Sequence, residues 1–146
     1  MNRDFNFESS WYTSYPSIGH WKDFGSADYE ISLSAFTATK TPCHLYAHIP
    51  FCAKLCHYCI CNIVVTNDRE KIQHFLNHLC TEIDLLRPYE PLIKEIQLGG
   101  GTPSHLDRKQ FSRLCVKLNQ LVNLMSLDEF AMEIDPRTVS IEEIGR

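Results

Sequence analysis

A chain of 146 residues with 44% hydrophobic and 11% aromatic content is long enough for one domain with a core of its own, and too apolar for disorder to dominate. The formal net charge is -4, with acidic and basic residues interspersed and no Lys/Arg run able to neutralise a row of phosphates, which argues against nucleic acid as a partner. Residues 1–8 lack the apolar core of a secretory signal and no apolar run approaches the ~18 residues that span a bilayer, so the expected location is the cytoplasm, with no membrane partner.

Residues 1–25 are rich in Ser, Asn, Asp and aromatics and carry turn signals at Tyr15-Pro16-Ser17 and between His20 and Gly25. They read as an irregular extension anchored by Trp11, Tyr12, Tyr15 and Trp21. A short helix is expected over 28–37. After Thr41-Pro42 the run 43–49 reads as a strand stopped by Pro50, because proline removes a ladder donor. From 68 to 87 the residues Ile72, Phe75, Leu76, Leu79, Cys80, Ile83 and Leu86 recur every three or four positions, which places them on one face of a long helix. Asn67 or Asp68 caps its start and Pro88 follows its end. Residues 93–98 form a second strand that runs into Gly99-Gly100-Gly101-Thr102-Pro103. The helical pattern returns over 107–122, and 129–134 reads as a third strand closed by Asp135-Pro136.

The order β-α-β-α-β predicts parallel strands with crossover helices, hence an α/β sheet or barrel in which chemistry gathers at the C-terminal strand ends. Ser140 and Glu143 have capping-box spacing, so a third helix is expected to start there and stop within about two turns, as in a fragment or an incomplete last unit.

Seven cysteines are an odd number, and Cys52, Cys56, Cys59 and Cys61 fall within ten positions, too bunched for a disulfide framework. The spacing Cys-x3-Cys-x2-Cys lets three thiolates converge on an iron–sulfide cubane, leaving one iron open to an exchangeable ligand. A closed zinc site needs a fourth ligand, for which Cys61, His57 or His48 are at hand, but the second Cys pair usual in such sites is missing. Cys61 as a fourth cluster ligand would block the open iron, so a supporting or substrate-side role suits it better. Cys80 and Cys115 lie on apolar helix faces and read as small core residues. The glycine loop lacks the Gly-Lys-Ser/Thr ending of a phosphate loop, yet its glycines permit close backbone approach to a ligand and Thr102 adds a hydroxyl. Glu133 shares one side of its strand with small Ala131, as Tyr46 shares a side with His48, and both pairs sit near strand ends.

These residues resemble the radical S-adenosylmethionine superfamily and, within it, the oxygen-independent coproporphyrinogen III oxidases of haem biosynthesis. The resemblance is carried by Tyr46-Ala47-His48-Ile49-Pro50-Phe51-Cys52 with Cys56, Tyr58, Cys59, Cys61 and Asn62, by Tyr12-Thr13-Ser14-Tyr15-Pro16, by Gly99-Gly100-Gly101-Thr102-Pro103 and by Glu133-Ile134-Asp135-Pro136. It implies a partial (β/α) barrel of three strand–helix units over 43–146, after an N-terminal extension over 1–42. It also implies a [4Fe–4S] cluster on Cys52, Cys56 and Cys59, and S-adenosylmethionine contacted by Tyr46, Tyr58, Gly100, Gly101, Thr102 and Glu133. Cys61 and Tyr46 would serve catalysis, Cys61 without ligating the cluster. In that family a 5′-deoxyadenosyl radical takes hydrogen from a propionate of coproporphyrinogen III, and two such decarboxylations give protoporphyrinogen IX. An electron donor such as flavodoxin or ferredoxin and a monomeric state are expected with it. The alternatives are a radical-SAM-like haem chaperone, which usually has an aromatic residue in place of Cys61, and a non-catalytic iron–sulfur binding fragment. Where the family usually has glycine between its last two cysteines this chain has Ile60, and a glycine-only conformation there would load ~1–3 kcal/mol of strain on the loop.

Overall fold

The computed structural model describes residues 22–140. The expected anchors Trp11, Tyr12, Tyr15 and Trp21, the Tyr12–Pro16 segment and the helix expected after Ser140 lie outside the described residues.

Helix α1 (Ser26–Ala38) contains the expected 28–37 segment and opens with the Gly25 N–H donating to Asp28 Oδ2 at 3.0 Å. It is exposed along most of its length, and only Thr37 is buried. Strand β1 (Cys43–Ile49) ends at Pro50 as its sequence requires. Helix α2 (Arg69–Leu86) starts at Asp68, whose Oδ1 accepts from the backbone N–H groups of Glu70 and Lys71 at 2.9 and 3.1 Å. Helix α3 (Arg108–Leu121) begins with a reciprocal box: Asp107 Oδ1 accepts from Gln110 N–H at 2.9 Å and Gln110 Oε1 from Asp107 N–H at 3.1 Å.

Strands β1, β4 (Ile93–Gly100) and β5 (Glu129–Met132) form one parallel sheet in the order β1-β4-β5. Each neighbour is reached through one crossover helix, which is the parallel α/β arrangement that the alternation predicts. Strand β4 is two residues longer than expected, because Gly99 and Gly100 remain in register with His48 and Ile49. Strand β5 stops earlier than expected, although the Glu133 N–H still donates to the Leu98 carbonyl at 2.9 Å.

Two further strands, β2 (Phe51–Cys52) and β3 (Val64–Val65), have no signature in the sequence and pair in parallel as Phe51↔Val64 and Cys52↔Val65. Two-residue strands are too short to show a period. Their effect is to pin both ends of the intervening loop, residues 53–63.

Helices α2 and α3 pack on each other and on one face of the main sheet. That face supplies Ala47 and Ile49 from β1 and Ile93, Ile96 and Leu98 from β4, which meet Ile72, Leu76 and Ile83 of α2 and Leu114 and Leu118 of α3. Cys80 is buried as expected, whereas Cys115 is only half-buried, with its thiol raised above the ordinary range by desolvation. Lys117 Nζ spans the helix pair to Asp84 Oδ2 at 2.7 Å, and its hydrogen bond is the main reason the Asp84 carboxyl lies below the usual range. Leu114 is fully buried, so Leu114→Ala is expected to cost ~2–5 kcal/mol by lost transfer energy and a residual cavity, read as a lower urea midpoint at unchanged slope.

Candidate functional site

The period-2 alternation of the sheet turns a second set of side chains to the face opposite the helices. Tyr46 and His48 of β1 are register partners of Gln97 and Gly99 of β4, and Gln97 is partnered on its other side by Ala131 of β5. Glu133 follows two residues after Ala131 and stays in pairing geometry, so it reaches the same face beside Gly99. The sequence reading of Ala131 and Glu133 on one side, with Met132 on the other, agrees with this register.

The C-terminal ends of the strands carry three loops that lock together. The Gly101 N–H donates to the Ile49 carbonyl and the Thr102 N–H to the Phe51 carbonyl, both at 2.9 Å, so the glycine loop lies along the chain that enters the cysteine loop. A Cβ on Gly101 would stand 2.8 Å from the Pro50 carbonyl carbon, a backbone atom with nowhere to move. Gly100 adopts φ +114, a conformation that side chains avoid, and its N–H donates to Glu133 Oε2 at 3.2 Å. The approach brings Thr102 Oγ1 to 3.3 Å from Cys52 Sγ.

Within the cysteine loop Cys52 is buried, Cys56 and Cys59 are half-buried and Cys61 is exposed. The Cys59 N–H donates to the Cys56 carbonyl at 3.1 Å, closing a turn between them. Cys61 lies close enough to the other thiols to feel them. Its own thiol is pushed above the ordinary range first by Cys59, then by desolvation, with smaller contributions from Glu133 and Cys52. Tyr46 is likewise raised by desolvation, by Glu133 and by Cys61. Its hydroxyl is 3.2 Å from His48 Nδ1, while His48 Nε2 is 2.9 Å from the Asn62 carbonyl oxygen. Since a carbonyl only accepts, a neutral His48 carries its proton on Nε2 and donates it to Asn62, while its Nδ1 accepts the hydrogen bond of the Tyr46 O–H.

Tyr46, Gly100, Gly101, Thr102, Glu133, Cys52, Cys59 and Cys61 are thus gathered at one end of the sheet. Tyr58 lies in the same cysteine loop, next to Cys59, with its ring 88% exposed. Among the described residues no three His, Cys, Asp or Glu side chains are grouped to hold a single metal ion. Ile60 corrects the expectation of strain, because the only described non-glycine residues at positive φ are Lys40 and Glu90, and its side chain is 92% exposed. The Ile60 backbone thus stays outside the left-handed region that favours glycine.

Sequence reasoning overlooked Arg137. Its Nη2 donates to Cys56 Sγ at 3.4 Å and to Asp135 Oδ2 at 2.7 Å, while its Nε donates to Asp135 Oδ1 at 2.9 Å. The one available signal was its place two residues beyond the third strand's closing Asp135, at the C-terminal end of the strands where α/β sheets gather ligands. Among the described residues no helix is long and apolar enough to cross a membrane.

Two predictions follow from this geometry. Gly101→Ala is expected to cost ~1–3 kcal/mol of overpacking and to separate Thr102 from Cys52, seen as lowered urea stability together with faster alkylation of the Cys52 thiol. Arg137 holds the Asp135 carboxyl down to about 2, chiefly through its side-chain hydrogen bonds. A carboxyl depressed in the folded state from ~3.9 in the unfolded chain stabilises fully above the latter value and loses that contribution as pH falls from ~4 through 2. Urea midpoints between pH 5 and pH 2 are therefore expected to fall less steeply in Asp135→Asn than in the parent.

No family model matches the chain. It is 34% identical to the oxygen-independent coproporphyrinogen III oxidase of Pseudomonas aeruginosa over 98% of its own length and 32% of that protein, and 33% identical to that of Escherichia coli over 94% and 30%. A protein of the same name from Mannheimia haemolytica is 34% identical over 90% of this chain and 91% of its own. Among solved structures, coproporphyrinogen III oxidase from Escherichia coli, described as a radical SAM enzyme, superposes with a TM-score of 0.76 at 31% identity, covering 92% of this chain and 31% of that one. The chain thus spans about a third of the length of the Pseudomonas and Escherichia relatives. At this identity, and with nearly the whole of the Mannheimia protein covered, the chain belongs to the oxygen-independent coproporphyrinogen III oxidase family.

Proposed function

We propose that this chain provides the cluster-holding and cofactor-holding portion of an oxygen-independent oxidation of coproporphyrinogen III to protoporphyrinogen IX. In this reading residues 43–146 are the first three strand–helix units of a (β/α) barrel and 1–42 an extension preceding them. Cys52, Cys56 and Cys59 hold a [4Fe–4S] cluster, while Tyr46, Tyr58, Gly100, Gly101, Thr102 and Glu133 line the S-adenosylmethionine site.

The observation that carries the reading is the convergence of the cysteine loop, the glycine loop and Glu133 at one end of a parallel sheet, through the Cys52–Thr102 and Gly100–Glu133 contacts. The donor set suits a cubane. In a zinc site every ligand lies within ~2.3 Å of one ion, whereas a cubane takes each thiolate on a different iron, so sulfurs spread along one loop serve it without meeting at a point. The bareness of Gly100 and Gly101 lets their backbone close onto the polar face of the sheet, since a Cβ on either would stand 2.8 Å from the His48 ring or from the Pro50 backbone. Glu133 presents a carboxylate there for the cofactor's amino group, and Tyr46 and His48 form a hydrogen-bonded floor beside it.

Bound together, cluster and cofactor supply one-electron cleavage of S-adenosylmethionine for hydrogen abstraction from the substrate's propionate. This chain's residues bind and orient them. Cys61 stands at the exposed rim of the site, outside the three cysteines assigned to the cluster. An external donor of the flavodoxin or ferredoxin kind would supply electrons, and a monomer suffices for this arrangement.

Anaerobic reconstitution with iron and sulfide is expected to give a visible charge-transfer band that is lost in Cys52→Ala, Cys56→Ala or Cys59→Ala and kept in Cys61→Ala and Ile60→Gly. Addition of S-adenosylmethionine and dithionite is then expected to release 5′-deoxyadenosine. A cluster without 5′-deoxyadenosine would remove the enzyme reading and leave an iron–sulfur binding fragment, and no cluster at all would remove both.

A further inference from the structure

Arg137 joins the segment after β5 to the cysteine loop across 81 positions of sequence. Its guanidinium is not free to wander. Asp135 grips it with both carboxylate oxygens and also accepts the Arg137 backbone N–H at 3.0 Å. Asp135 is in turn tied to the turn that follows the glycine loop, its N–H donating to Ser104 Oγ at 3.3 Å. Only 17% of the Asp135 side chain is exposed, so the anchor is well seated even though Arg137 itself is largely open to solvent. The same Nη2 that meets Asp135 is directed at Cys56 Sγ.

We propose that Arg137 is a positioning residue for Cys56, and that its fixed positive charge raises the reduction potential of the cluster held there. The proposal rests on the reading of Cys52, Cys56 and Cys59 as cluster ligands. One-electron reduction adds negative charge that spreads onto the ligand sulfurs, and hydrogen bonds to those sulfurs are a recognised control on the potential. A guanidinium keeps its proton under all conditions in which the protein is folded, so the donor is permanent. Asp135 partly offsets the charge, but it lies on the side of the guanidinium that it grips, while the remaining Nη2 valence faces the sulfur.

The test is a redox titration of the reconstituted 146-residue chain, followed by electron paramagnetic resonance of the reduced cluster, in the parent, Arg137→Gln and Arg137→Lys. Arg137→Gln is expected to make reduction about tenfold harder, a shift of about 59 mV to more negative potential for a one-electron couple. Arg137→Lys, which keeps the charge without the fork, is expected to fall between the two. Because the pair is open to solvent, the gap between parent and Arg137→Gln is expected to narrow as salt rises. Failure of Arg137→Gln to hold a cluster that Arg137→Lys does hold would equally support a requirement for the charge. Equal potentials in all three proteins, or loss of the cluster from both variants, would overturn the proposal and leave the cluster reading intact. Absence of a cluster from the parent would instead overturn the reading itself, and the inference with it.

Discussion

The missing side chain at Gly101 is the constraint on which the candidate site depends. Two loops, entered from different strands, come close enough for backbone hydrogen bonds from Gly101 to Ile49 and from Thr102 to Phe51. Any Cβ at 101 would meet the Pro50 backbone, and that contact has no rotamer to relieve it. From this approach follow the place of Thr102 beside Cys52 and the place of Ser104 where it can accept from Asp135. Gly100 contributes by its dihedral rather than its bareness alone, since φ +114 directs its N–H to Glu133. The neighbouring Gly99 leaves space that Tyr46 and Glu133 occupy.

The sheet divides its two faces between stability and chemistry. Toward α2 and α3 it presents Ile49, Ile96 and Leu98, all essentially without solvent exposure. Away from the helices it presents Tyr46, His48, Gln97 and Glu133, polar groups that bond to one another or to loop backbone. A slip of one residue in the β1–β4 register would exchange these sets, burying His48 and exposing Ile49, so the hydrophobic core is also what aims the polar groups. The irregularity between Cys43 and His44 falls at the far end of the pair, where it leaves the site in register.

How much of this was legible in the sequence depended on whether an interaction is periodic or merely adjacent in space. The apolar stripes of α2 and α3 repeat over several turns, and their limits were readable to within one or two residues, helped in α2 by the cap at Asp68. The cysteine spacing and the three glycines were legible as chemistry because they are local. The β2–β3 pair was not, as two residues carry no period. Nor was the Arg137–Cys56 contact, which joins positions that nothing in the linear chain relates. Ile60 shows the converse, a departure from a family pattern that suggested strain where the backbone carries none.

The three thiols of Cys52, Cys56 and Cys59 are neighbours in sequence, whereas Tyr46, Gly100, Glu133 and Arg137 reach them only when β1, β4 and β5 have paired. Bringing the thiols together closes loops of a few residues, which costs little chain entropy, while bringing Glu133 to Gly100 requires two crossover connections to be complete. The pinning of residues 53–63 by β2 and β3 is also short-range in sequence. During folding, then, the cysteine loop can organise early and almost alone, and the polar face beside it is among the last features to form. A chain caught partway would present its thiols as a simple thiol-rich peptide does, without the groups that β4 and β5 bring beside them.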